Sequence, residues 1–116
     1  MHYQRDPHSE AKLVRCTQGA ILDVIIDIRP DSSTYRRWQE FELSSVNGHQ
    51  LYIPKGFAHG FQTLADNSEV LYQMSAYYAP ERARGVRWDD PAFNINWPED
   101  ERIIIARDRK YPDFSR

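Results

Sequence analysis

Apolar residues recur along this chain in short runs separated by glycine, proline, asparagine and aspartate, and no stretch keeps the i, i+3, i+4 period of an amphipathic helix for long. Strands are therefore expected at residues 12–16, 20–29, 35–43, 51–53, 57–64, 69–78 and 85–88. Residues 20–29 are rich in isoleucine and valine with Asp23 and Asp27 interrupting them, the pattern of a buried strand with polar groups at selected places. Residues 35–43 alternate imperfectly. Gln18-Gly19, Pro30-Asp31-Ser32-Ser33 and Ala65-Asp66-Asn67-Ser68 carry turn chemistry. Asn47-Gly48 is the strongest hairpin signal, with 51–53 following as the return strand. Beyond Pro91 the patterning thins, and Ile103-Ile104-Ile105 fits an edge strand or one helical turn. Short strands spaced by about 8–12 residues predict an all-β sandwich or jelly-roll barrel. With no internal repeat or linker, residues 1–116 read as a single domain.

Composition narrows the function. A net charge of −2 gives no bulk attraction to nucleic acid or to anionic membranes. Cys16 is the only cysteine, which excludes an internal disulfide and a thiolate zinc site, and its neighbours Leu13 and Val14 suggest that it packs as a small hydrophobe. No apolar run approaches the length of a membrane-spanning helix, and the first residues lack a signal-peptide pattern. The expected location is the cytoplasm.

The densest motif is Pro54-Lys55-Gly56-Phe57-Ala58-His59-Gly60-Phe61, a histidine between two glycines and flanked by aromatics. Each glycine can take a positive φ or admit a close backbone neighbour. On its own, His59 reads more readily as a core histidine than as a catalytic one. The histidines His2, His8, His49 and His59 include no His-x-His pair, and no glutamate follows a histidine at the spacing a barrel metal site would use, so the sequence gives no support to a metal site. Neither Ser9 nor Ser75 lies in a glycine elbow, and no phosphate-cradling glycine loop is present. Acid–base chemistry remains, with His2 as a candidate base and Tyr72, in Val70-Leu71-Tyr72-Gln73-Met74, as a candidate acid.

Here a resemblance becomes specific. His2-Tyr3-Gln4, Lys12-Leu13-Val14-Arg15, Asp23-Val24 and Asp27-Ile28-Arg29 stand in the order of the dTDP-4-dehydrorhamnose 3,5-epimerase family. The match continues through Ile53-Pro54-Lys55-Gly56-Phe57-Ala58-His59-Gly60-Phe61, Leu71-Tyr72, Tyr77-Tyr78, Trp88-Asp89-Asp90-Pro91, Trp97-Pro98 and Arg107-Asp108. The resemblance implies a cupin-like jelly roll, usually a homodimer, that works without metal or organic cofactor on a nucleotide-linked 4-keto-6-deoxy sugar. It casts His2 as the proton-abstracting base, Tyr72 as the proton donor on the other face of the ring, and Asp108 as the partner of the histidine. Lys12 and His59 match substrate-contacting positions, and Arg107 stands where the family has a basic residue.

The chain also departs from the family's pattern. The stretch that the family carries before its catalytic histidine, with an Arg-Gly pair at its end, does not precede His2, so a jelly roll with its first strands removed is expected. Ala83 and Arg84 lie near a place where the family tends to be acidic, with Glu81 slightly earlier. Two alternatives to the enzyme follow: a non-catalytic remnant, or one half of a split epimerase completed by another chain. Exposed faces would favour self-association, with Ile25 and Ile26 contributing to the covered surface.

Overall fold

The computed structural model describes residues 1–115. Its strands are β1 (His2–Gln4), β2 (Lys12–Gln18), β3 (Ala20–Asp27), β4 (Trp38–Ser44), β5 (Gln50–Ile53), β6 (Phe57–Thr63), β7 (Glu69–Met74) and β8 (Ala83–Gly85). A 3₁₀ turn at Pro80–Arg82 and a short helix α1 (Ala106–Arg109) complete the elements. The strands form two antiparallel sheets, a five-stranded one in the order β4-β3-β6-β1-β8 and a three-stranded one in the order β5-β2-β7. The chain stays in one sheet only from β3 to β4 and crosses to the other sheet at each other connection, and the result is an all-β, cupin-like jelly roll.

The apolar run of β3 is continuous because both of its faces are covered. Ile21 and Ile25 pack with Leu43 against Val14, Cys16 and Ile53 of the facing sheet. Val24 and Ile26 point the other way, into a second cluster with Met1, Ala58, Val86 and Phe93, against which Trp97 and Phe114 also pack. A strand buried on both faces loses the alternation that marks a half-buried one. Ile25 and Ile26, expected at a covered surface between chains, are instead buried within this one. Cys16 is buried as expected, its thiol donating to the Gln18 carbonyl.

Asn47-Gly48 does not close a hairpin. β4 pairs with β3, whereas β5 pairs with β2 in the other sheet. Asn47 Oδ1 accepts from the Ser44 and His49 amides, Ser44 Oγ accepts from the Asn47 amide, and Gly48 sits at φ +63°. This turn ends β4 and redirects the chain across the barrel. The strand expected over 69–78 stops at Met74, where the Ser75 amide turns to the Ala11 carbonyl. The strand expected over 85–88 lies earlier, at Ala83–Gly85. Ile103-Ile104-Ile105 forms neither an edge strand nor a helical turn; the helical turn begins one residue later, at Ala106.

At the end of β3, Asp27 anchors the loop to β4. Its buried carboxylate accepts from Arg29, Ser32 and Thr34, and hydrogen bonding led by Arg29 holds it far below the usual carboxylate range. Gly56 takes a positive φ in the turn before β6. Gly60 admits a close neighbour, since a Cβ there would come within 2.7 Å of the Met1 side chain.

Candidate active site

A cavity of about 490 Å³ opens between the sheets, and His2, Lys12, His59, Tyr72, Arg107 and Asp108 all line it. The sequence scatters these residues over most of the chain; the jelly roll brings them together.

His2 lies in the five-stranded sheet, where β1 is sandwiched between β6 and β8 and His2 pairs with both His59 and Gly85. Reciprocal hydrogen bonds between the main chains of Met1 and Val86 extend this pairing. Asp108, presented by α1, places Oδ1 2.9 Å from His2 Nε2. Arg107 Nε donates to the same oxygen at 3.2 Å. Burial lowers the His2 pKa, and the Asp108 hydrogen bond opposes that shift. Burial pushes the Asp108 carboxyl up, but hydrogen bonds from His2 and Arg107 outweigh it and leave the group below its ordinary value. Tyr111 approaches the His2 ring edge-on, with centroids 6.3 Å apart. It lies so close over β8 that a Cβ on Gly85 would overlap its ring.

His59 is a second carboxylate-paired histidine. Its Nε2 lies 2.8 Å from Asp23 Oδ2, and both side chains are buried. The register explains the meeting: His59 pairs with Ile25, and Asp23 lies two residues away on the same face of β3. Lys12, which ordinary lysine behaviour would put at the surface, is buried instead. Burial lowers its pKa, while Glu10 and Asp23 favour its charged form. Glu10 Oε1 lies 3.8 Å from Lys12 Nζ.

Tyr72 comes from the opposite wall. It pairs with buried Val14 in the three-stranded sheet, so both side chains lie on the face turned toward the interior. At the cavity's open side it is 48% exposed. His2 thus reaches the cavity from the five-stranded sheet and Tyr72 from the three-stranded one.

Sequence reasoning gave no site role to Glu10, Tyr78 or Tyr111, which also line the cavity, and did not name Asp23 as the partner of His59. Asp23 did carry a signal: it shares the parity of Ile21 and Ile25 in an apolar run, so it must face the interior. Glu10, in a polar loop, carried none. Among the described residues no three His, Cys, Asp or Glu side chains converge as a metal site, and no helix is long and apolar enough to cross a membrane.

Fold and cavity together define a cupin-type barrel whose interior carries carboxylate-paired histidines, a buried lysine and a facing tyrosine. The chain belongs to the dTDP-4-dehydrorhamnose 3,5-epimerase family, whose model matches residues 1–116. It is 46% identical over 115 residues to the dTDP-4-dehydrorhamnose 3,5-epimerase of Sinorhizobium fredii, covering 98% of this chain and 59% of that protein. The crystal structure of the Bacillus anthracis dTDP-4-dehydrorhamnose 3,5-epimerase with TDP and PPi bound superposes with a TM-score of 0.94 at 42% identity, over 97% of this chain and 65% of that one. The Legionella pneumophila dTDP-6-deoxy-D-glucose-3,5-epimerase, in complex with dTDP-4-keto-L-rhamnose, superposes at 0.87 with 37% identity, over 93% and 57% of the two chains. This chain thus spans about 60% of the length of the curated relatives it matches.

Proposed function

We propose that this chain carries the acid–base site of an epimerase acting on a dTDP-linked 4-keto-6-deoxyhexose, at C3, C5 or both, in deoxysugar biosynthesis. The observation that carries this reading is the His2–Asp108 pair at 2.9 Å in a cavity that Lys12 and Tyr72 also line. Family membership and the keto-sugar nucleotide in the Legionella complex support the substrate class.

A C–H beside a ketone is a weak acid, and its removal needs both a base and stabilisation of the developing oxyanion. An ionised carboxylate can only accept, so Asp108 fixes the His2 proton on Nε2 and leaves Nδ1 with the free lone pair. Nδ1 takes the proton, the C–H electron pair forms the enolate double bond, and the charge on the former ketone oxygen falls to the Lys12 ammonium. Tyr72 returns a proton from the opposite face, which inverts the centre, and solvent resets His2 and Tyr72. His59, fixed by Asp23, and Arg107 contact the substrate. A homodimer is the expected assembly, and every step written here uses side chains of this chain alone.

The test is deuterium uptake from D₂O at C3 and C5 of a dTDP-4-keto-6-deoxyhexose. His2→Ala should lower uptake by roughly 10²–10⁴-fold, the usual worth of a positioned base. Tyr72→Phe should leave uptake at the abstracted position while inverted product falls. Unchanged uptake in His2→Ala would remove His2 from the mechanism. An unsubstituted chain that takes up no deuterium would overturn the epimerase reading in favour of a non-catalytic fold.

A further inference from the structure

Glu10 occupies the loop between β1 and β2, a place from which glutamates ordinarily reach solvent, yet its side chain is only 6% exposed and lines the cavity. Its Oε1 faces Lys12 Nζ at 3.8 Å, an ion-pair distance too long for a hydrogen bond. Its Oε2 is buried and has no hydrogen-bond partner among the described residues. Asp23 Oδ1 is likewise buried without a partner among the described residues, its other oxygen being engaged by His59. Lys12 therefore sits near two carboxylates, with His59 behind Asp23 and with His2, Asp108 and Arg107 on the facing wall. A buried carboxylate oxygen without a donor is costly, and its position beside an ammonium marks where a donor on a ligand would be taken up. In a 4-keto hexose the carbon next to the ketone carries a hydroxyl. A ketone oxygen directed at Lys12 would bring that hydroxyl toward the neighbouring carboxylate.

We propose that Glu10 is a substrate-contacting residue: Oε1 holds the Lys12 ammonium toward the ketone, and Oε2 accepts a hydrogen bond from the hydroxyl on the adjacent carbon. The sugar's identity rests on the epimerase reading; the hold on Lys12 does not. Burial raises the Glu10 pKa, with Lys12 and His59 opposing.

Glu10→Gln keeps the side chain's shape and removes its charge, and two measurements on the whole chain read its effect. In ligand-free protein, NMR titration of the Lys12 side chain should show its inflection at lower pH in Glu10→Gln, because a carboxylate that favours the ammonium is gone. In binding calorimetry, dTDP-glucose, which carries the hydroxyl but no ketone to turn over, should bind roughly tenfold or more weakly to the variant, the scale of a lost charge-assisted hydrogen bond. dTDP alone should bind both proteins equally. An unmoved Lys12 inflection, or losses equal for dTDP and dTDP-glucose, would overturn the proposal. If the unsubstituted chain binds neither nucleotide, the epimerase reading falls and takes the hydroxyl contact with it, while a lowered Lys12 inflection would still uphold the pairing.

Discussion

At the scale of single residues the chemistry turns on one ring nitrogen. His2 Nε2 lies 2.9 Å from Asp108 Oδ1 and 3.3 Å from an Arg107 nitrogen. Carboxylate and guanidinium make opposite demands, because the first needs a proton on Nε2 and the second needs a lone pair there. The shorter contact decides in favour of the proton, and Arg107 then acts through its own bond to Asp108. Since burial lowers the His2 pKa, the neutral base is favoured at neutral pH, and exchange should fall as the pH drops, with its inflection below the ordinary histidine value. Asp108 opposes that lowering, so Asp108→Asn should move the inflection of the pH–exchange profile to still lower pH. It should also reduce the plateau by roughly 10²-fold or more, because tautomer control and stabilisation of the imidazolium are lost. A profile of wild-type shape and position would separate Asp108 from the base. The buried polar residues differ in how far sequence revealed them. Asp23 stood out in an isoleucine-rich run, Lys12 was marked out by the family resemblance alone, and Glu10 read as an ordinary polar residue until the fold buried it.

At the scale of elements, a four-residue helix with no side-chain cap delivers Asp108 to the site, and so short a helix depends on what it packs against. Its neighbour Tyr111 rests on β8 at Gly85, a fit that leaves no room for a side chain. Gly85→Ala should therefore lift the segment around Tyr111, cut deuterium uptake into the keto sugar by roughly tenfold through the loss of positioning, and raise amide exchange over residues 106–111. Unaltered uptake and amide protection would show that α1 is held by other contacts. The elements themselves were unequally legible. β3, β6 and β7 announced themselves through apolar or alternating runs. β1 has only three residues, too few for any periodicity, so the strand that carries the candidate base was invisible as a strand. Sheet membership was hidden for a different reason. Turn residues such as Asn47-Gly48 fix the local bend but not which sheet the next strand joins, and that depends on which apolar faces must meet across the core. The resemblance to a family supplied the jelly roll where local signals stopped at strands and turns.

At the scale of the whole molecule, the three-stranded sheet ends at β7, with Leu71, Tyr72 and Met74 each between 41% and 48% exposed. Tyr77 and Tyr78 follow, both more exposed still. An edge strand with free main-chain groups and apolar side chains is a template for pairing with another chain, and a net charge of −2 offers little repulsion against it. The prediction is self-association through β7 at micromolar concentration, forming a dimer or larger assembly that light scattering after size exclusion would detect. Leu71 lies on the opposite face of β7 from Tyr72 and outside the cavity lining, so Leu71→Lys places a charge on the edge without entering the site. That variant should shift the assembly toward monomer while leaving the circular dichroism spectrum unchanged. Because Tyr72 and Met74 belong to both the edge and the cavity, association would also cover the cavity's open side, and ligand affinity should fall on dilution in step with dissociation. A stable monomer at tens of micromolar, or an assembly indifferent to Leu71→Lys, would mean that the β7 edge is not the surface through which copies of this chain meet.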